Sequence, residues 1–305
     1  MPTLPPNTRF LSKEGIEGLS FPLHIQVRSA NARKVSKWIK SHCFSVETVR
    51  GSFVKAQEGY YVASPENCFF QMAGVLGFVE LLELAYEFCG EYLPAANDKG
   101  FVEVKPLTTV SKLLGFAKQM RGAHGRKLVM KVLKYVQDSS ASPMETKLTI
   151  QLILPYRYGG FGFKMPKLNK EFTVKQKAYG KARVHKRSQS DDHVPIDGYH
   201  EVQQSNNQDK MYKCDLYWKE AKLVVEYDSN AHHTGIGRIT KDSKKRSDLS
   251  LLGIDVISVT YGQVKTVTEV KKLAHVLAKK LGKVLRYEEQ KFTVSCFKLQ
   301  RALLC

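Results

Sequence analysis

The feature that most constrains this chain is a pair of short runs, Lys213-Cys-Asp-Leu-Tyr-Trp218 and Leu223-Val-Val-Glu-Tyr-Asp228, separated by Lys219-Glu-Ala-Lys222. Both are rich in β-branched and aromatic residues and too short for stable helices, so they read as the strands of a hairpin. A turn centred between Glu220 and Ala221 pairs Lys219 with Lys222, Tyr217 with Val224 and Asp215 with Glu226. Side chains alternate along a strand, so Asp215, Glu226 and Asp228 share one face, and Leu216, Trp218, Leu223, Val225 and Tyr227 the other. Like charges set opposite one another on a hairpin cost on the order of a few tenths of a kcal/mol, so this register calls for a compensating cation. A hard divalent metal, Mg²⁺ or Mn²⁺, fits that demand. It is held by one or two carboxylates, keeps several waters and takes up phosphate oxygens, as phosphodiester hydrolysis requires. His232 and His233, just past the second run, titrate in the range of a proton donor or acceptor near neutral pH. Two simpler readings remain open at this level: acids that balance Lys219 and Lys222 on a solvated face, and histidines that pack or cap the next helix.

Charge narrows the partner. Over 305 residues, 48 Lys and Arg stand against 29 Asp and Glu, a net charge of +19, which favours a polyanion such as nucleic acid or an acidic membrane surface. A hydrophobic share of 43% with 25% charged residues excludes wholesale disorder and collagen-like or mucin-like repeats. The most apolar stretch, about 68 to 89, carries Glu80, Glu83 and Glu87, so it is too short and too charged to span a bilayer and reads as a core helix. The six cysteines are scattered, with no C-x-x-C pair and no zinc spacing, and the opening MPTLPPNTRF lacks the apolar core of a signal peptide. A reducing, cytoplasmic setting is therefore expected.

The chain divides into three stretches by pattern. Residues 1–140 read as a mixed, mainly helical domain. Alternating runs at Leu23–Val27 and Gly59–Ala63 suit strands, and Ser64-Pro65-Glu66 starts one long helix to Cys89-Gly90. Further helices fall at about 108–120 and 126–136, and a boundary is placed in the polar tract 137–141. Residues 141–262 open with Ser142-Pro-Met-Glu145, the S-x-x-E spacing of a capping box, which makes Glu145 a helix cap on spacing alone. A basic, mobile insertion is expected over 159–207 around a short strand at 171–175; the hairpin, a helix at 238–252 and a strand at 254–260 follow. Residues 263–305 read as a basic helix, 268–285, and an amphipathic tail. Lys181, Arg183, Lys186 and Arg187 in the insertion, with Lys241, Lys245 and Arg246 on the next helix, are the candidate phosphate contacts.

At these residues the chain resembles the very-short-patch-repair-like endonucleases of the PD-(D/E)xK superfamily. The likeness rests on Ser142-Pro-Met-Glu-Thr-Lys-Leu148, Cys214 to Ser229, His232-His233, and Asp242-Ser-Lys-Lys-Arg-Ser-Asp-Leu249 leading to Gly253-Ile-Asp-Val256, in that order within about 141–262. The resemblance implies a restriction-endonuclease-like αβββαβ core and hydrolysis of DNA phosphodiester bonds, in repair or phage defence. It implies Asp215 and Glu226 as metal ligands and Glu145 as an outer ligand. Asp228 stands where the superfamily signature has Lys, so His232 or His233 becomes the candidate for proton transfer. Residues 1–140 are similar to the region that precedes such domains in bacterial proteins related to the abortive-infection antitoxin of type IV toxin–antitoxin systems, the cue being Tyr61-Val-Ala-Ser-Pro-Glu66 and its apolar helix. The sequence thus carries two functional expectations: a Mg²⁺-dependent endonuclease acting on DNA, and a non-catalytic, antitoxin-like regulator that binds nucleic acid through the same fold.

Overall fold

A computed structural model describes residues 21–44, 47–57, 60–97, 100–175, 209–228 and 236–304. In chain order these form β1 (Leu23–Val27), β2 (Val35–Ser36), β3 (Ile39–Cys43), β4 (Phe53–Gln57), β5 (Tyr60–Ala63), α1 (Pro65–Met72) and α2 (Phe78–Cys89). Then come β6 (Tyr92–Pro94), β7 (Phe101–Glu103), α3 (Val110–Gln119), α4 (Arg126–Val132), α5 (Pro143–Ile153), β8 (Lys167–Val174), β9 (Lys210–Trp218) and β10 (Leu223–Asp228). The chain closes with α6 (Ile236–Leu251), β11 (Asp255–Thr260), α7 (Tyr261–Lys265), α8 (Val267–Lys280) and α9 (Glu289–Leu304). The fold is mixed α+β, with sheets ordered β1-β3-β2, β4-β5, β6-β7 and β11-β10-β9-β8. No described helix is long and apolar enough to cross a membrane.

Local chemistry sets the helix starts. Ser64 Oγ accepts from Asn67 N–H, Thr109 Oγ1 from Lys112 N–H and Ser142 Oγ from Glu145 N–H, each satisfying an amide that has no partner inside its helix. The single helix expected over 65–89 is two. α1 ends at Met72, and α2 restarts after Gly77, whose amide donates to Glu80 Oε2 at 2.7 Å. Apolar periodicity continues through the break because both helices face one core, and that continuity hides the interruption. Phe69 and Phe70 of α1 and Leu81, Leu82, Ala85 and Tyr86 of α2 are all buried.

The four-stranded sheet positions everything that follows. β8, β9 and β10 are antiparallel neighbours, and β11 pairs with β10 in parallel, Glu226 opposite Ser258, after the crossover through α6. The hairpin register is the one its turn implies: Leu216 faces Val225, Tyr217 faces Val224 and Trp218 faces Leu223. Leu216, Trp218, Leu223 and Val225 join Leu148 and Leu152 of α5 in the large core, while Tyr217 and Val224 pack with Leu249 and Ile254 beneath α6. The hairpin is two-faced between Leu216 and Val225, with a helix covering each face, but the expected sharing of one face by Asp215, Glu226 and Asp228 fails at Asp215, where the alternation of β9 breaks.

Three expectations are corrected by packing. Residues 159–175 are not part of a mobile insertion. Phe161 and Phe163 N–H donate to Gln151 O and Leu152 O, and both rings are buried against the end of α5. β8 spans Lys167–Val174, starting four residues before the strand expected at 171; residues 176–208 lie outside the described part. The C-terminal helix stops at Lys280 because Gly282 turns left-handed at φ +62°, and the expected tail is α9, which buries Phe292, Cys296, Leu299 and Leu303. The polar tract 137–141 is tied on both sides: Ser139 N–H donates to Cys89 O, Glu91 N–H to Ser140 O and Val110 N–H to Asp138 Oδ1. One buried cluster runs from Phe69 to Leu303 across it.

Candidate metal and nucleic-acid site

Near the open end of the hairpin Asp215 lies within electrostatic reach of Glu226 on one side and of Glu145 on the other. The β9–β10 ladder ends at Leu216 and Val225, and the next inward amide, Tyr227 N–H, donates 2.7 Å to Asp215 Oδ2. Alternation along β9 slips at this point. Tyr212, which donates to Asp248 on α6, and Cys214 face α6, and so does Tyr217, whereas Leu216 and Trp218 face the large core. Asp215 sits at the slip. Across the sheet its neighbour on β8 would be Asn169, which holds φ +49° and drops out of the β8–β9 pairing. That left-handed turn frees the Asn169 amide to donate 2.7 Å to Ser139 O and 2.6 Å to Glu145 Oε1.

Glu145 is a cap only by half. Its amide donates to Ser142 Oγ, but its carboxylate turns inward, accepting from Asn169 and from Ala141 N–H at 3.2 Å, and the residue is 2% exposed. Burial, and after it the charge of Asp215, pushes its carboxyl up to about 8. Asp215 is raised to about 6 by burial and then by Glu226. Burial is the larger cause of both shifts, and the neighbouring acid adds to each, so a cation placed beside Asp215 would relieve the second part.

Part of that cation is supplied by the chain. Lys245, expected to contact phosphate, instead reaches across from α6: its Nζ lies 2.9 Å from Glu226 Oε2 and donates 2.7 Å to Lys213 O. Burial acts to lower the Lys245 pKa, but the charge and hydrogen bond of Glu226, with Cys214 and Asp215 adding to them, leave it raised. Glu226 Oε1 is buried and accepts no hydrogen bond among the described residues. Cys214 beside it is held as a thiol, pushed up to about 12 by burial and then by Glu226.

The other expected site residues divide. Asp228 is at the exposed end of β10, opposite Thr260 of β11. Lys241 is exposed on α6, and Arg246 is exposed with its Nη2 donating 2.9 Å to Ser258 Oγ, both open to a phosphate on the α6 side. His232, His233, Lys181, Arg183, Lys186 and Arg187 lie outside the described residues. Sequence reasoning missed Asn169 and the inward placement of Lys245; an Asn inside a strand-like run was the available signal for the first.

Among the described residues no group of three or more His, Cys, Asp or Glu side chains is disposed to chelate a metal. Mg²⁺ does not need one, since one or two carboxylates with waters and phosphate oxygens suffice. The unsatisfied Glu226 Oε1 beside Asp215 fits that donor set. A half-open cavity of about 660 Å³, lined by Phe163, Trp218, Ala221 and Leu281, lies at the turn end of the hairpin and includes none of the three acids. No family model, curated protein or solved structure matches this chain, so the site is read from its own chemistry.

Proposed function

We propose that this protein is a Mg²⁺-dependent, or Mn²⁺-dependent, endonuclease-like hydrolase of DNA phosphodiester bonds. The observation that carries the reading is the electrostatic proximity of Asp215 and Glu226 at the slip in β9, with Glu145 buried beside Asp215 and Lys245 hydrogen-bonded to Glu226. The order α5, β8, β9, β10, α6, β11 supports it, since a helix, three strands, a helix and a strand follow one another as the resemblance implies. Asp215 and Glu226 would hold the metal, which when bound supplies Lewis-acid polarisation of a phosphate and a more acidic water. Glu145, fixed by Asn169 and Ala141, would stand behind Asp215 as the outer ligand that the resemblance implies. Lys245 occupies the role that Lys has in the superfamily signature but arrives from α6, so Asp228 on β10 does not deprive the site of an ammonium. Lys241 and Arg246 would take flanking phosphates.

Supercoiled plasmid incubated with Mg²⁺ or Mn²⁺ is expected to be nicked, and Asp215→Ala or Glu226→Ala to abolish nicking. Nicking that survives both substitutions would overturn the assignment. The second reading is a non-catalytic, antitoxin-like regulator, favoured by the ion pair that already neutralises Glu226 Oε2. It requires salt-sensitive DNA binding that is unchanged by chelator, and no cleavage under any divalent ion.

A further inference from the structure

Between residues 104 and 137 the chain contains eight Lys and Arg and no Asp or Glu. The stretch forms α3, α4 and the turn between them, and their apolar faces are spent in the core: Leu113, Phe116 and Ala117 from α3, Val129 and Val132 from α4. What remains outward is cationic. Lys127 and Lys131 stand one turn apart on α4, and Lys134 follows in the 3-10 turn Leu133–Tyr135 that continues the helix, so the three follow one another along its surface. All three are exposed, and none has an ion-pair partner among the described residues.

The stripe is continued by an aromatic mount. Phe78 of α2 and Tyr158 stack at 4.6 Å between centroids; Lys131 Nζ lies 5.0 Å from each ring, and the exposed Arg157 guanidinium lies 4.9 Å from Tyr158. Cation–π contact fixes two of the four positive heads without neutralising them. Four unpaired, partly pre-organised cations on a rigid helical surface repel one another, and a polyanion laid across them relieves that repulsion. A membrane surface fits less well, because an interfacial helix needs an outward apolar face and these helices have theirs buried.

We propose that the stripe of Lys127, Lys131 and Lys134, with Arg157, is a second nucleic-acid contact surface, one that grips the phosphate backbone without reading bases. It rests on nucleic acid being the partner and not on cleavage. The two rings stack on each other and Arg157 lies against Tyr158, so the surface offers cations for phosphates in place of groups that read base edges, and binding through it is independent of sequence.

The test uses the full chain in chelator with two unrelated labelled duplexes, reading the association constant from 50 to 200 mM salt. Lys127→Ala, Lys134→Ala and Arg157→Ala are combined, with Lys131 kept because it packs on the rings, and unchanged thermal melting is checked first. Each lost phosphate contact removes about 0.9 from the slope of log K against log salt, so the triple variant is expected to lower the slope by up to about 2.7 and affinity by tenfold or more on both duplexes. A control triple of exposed lysines elsewhere, Lys55→Ala, Lys279→Ala and Lys298→Ala, is expected to change the slope far less. An unchanged slope, an equal loss in the control, or binding to phosphatidylserine vesicles in place of duplex would overturn the proposal. Because chelator removes cleavage from the assay, failure of plasmid nicking would count against the nuclease reading alone.

Discussion

Lys245 joins the two faces of the site's electrostatics. Its ammonium is half-buried, at 23% side-chain exposure, against Glu226 at 20%, so each charge has lost much of its water and depends on the other. Removing one partner strands the second. Lys245→Met is expected to lower unfolding free energy by about 1–3 kcal/mol in urea titrations, below the range for fully buried pairs because some solvent remains. Adding Glu226→Gln to that variant is expected to recover part of the loss, a coupling that a double-mutant cycle reads directly. Gln151 poses the opposite case. It is 1% exposed on α5, and neither amide atom has a partner among the described residues. Replacing it with Leu, of similar size, removes a desolvated donor and acceptor, and is expected to raise stability by about 1–2 kcal/mol in the same titration.

At the scale of elements, α2 shows how one helix face carries both packing and titration. Glu83 lies among the residues that pack on the core, and burial raises its carboxyl from 4.5 to about 7, with Glu87 and Glu80 adding to the rise and Lys147 opposing it. The folded chain therefore binds this proton more tightly than the unfolded chain does. Stability from this group is full below about pH 4.5 and falls as pH rises through about 7, with Glu145 acting in the same direction at higher pH. Melting temperatures between pH 4.5 and 8 are expected to fall less steeply in Glu83→Gln than in the parent. The hairpin register was legible in the sequence because it follows from the position of one turn and from which face must be apolar. The slip at Asp215 was not. It depends on Asn169 leaving its strand pairing to reach Glu145, two long-range contacts with no local signature beyond one Asn in a strand. The α1–α2 break was present as Gly74 and Gly77 but was masked by apolar spacing, which reports which side is buried and not whether the backbone is continuous. Glu226 and Asp228 could be placed from strand parity, whereas the position of Asp215 and the arrival of Lys245 required the packing of β8 and α6.

At the scale of the molecule, the polar tract at 137–141 and the C-terminal segment bear on how the chain folds. Composition suggests a boundary and a tail, yet buried residues from α1 to α9 form one cluster, and Tyr92 on β6 hydrogen-bonds Thr146 on α5 at 2.9 Å across the tract. α9 closes this core. Phe292 packs edge-on against Tyr156 and Phe161, and Gly159, at φ +88°, lies so close under Ser295 that any Cβ there would overlap its backbone carbonyl. Gly159→Ala is therefore expected to cost about 3 kcal/mol or more, since it combines a strained backbone with a displaced helix. A chain ending at residue 288 tests the same dependence on a larger scale. It would bare the partners of Phe292, Leu299 and Leu303, each of which contributes roughly 1.5–3 kcal/mol when buried, a sum comparable to the whole stability of an ordinary domain. If α9 is integral, the full chain melts in one calorimetric transition and the shortened chain shows no cooperative melting at all. A shortened chain that keeps a sharp transition, or a full chain with two resolved transitions, would show instead that the helical half and the four-stranded sheet fold independently, and would restore the boundary at 137–141.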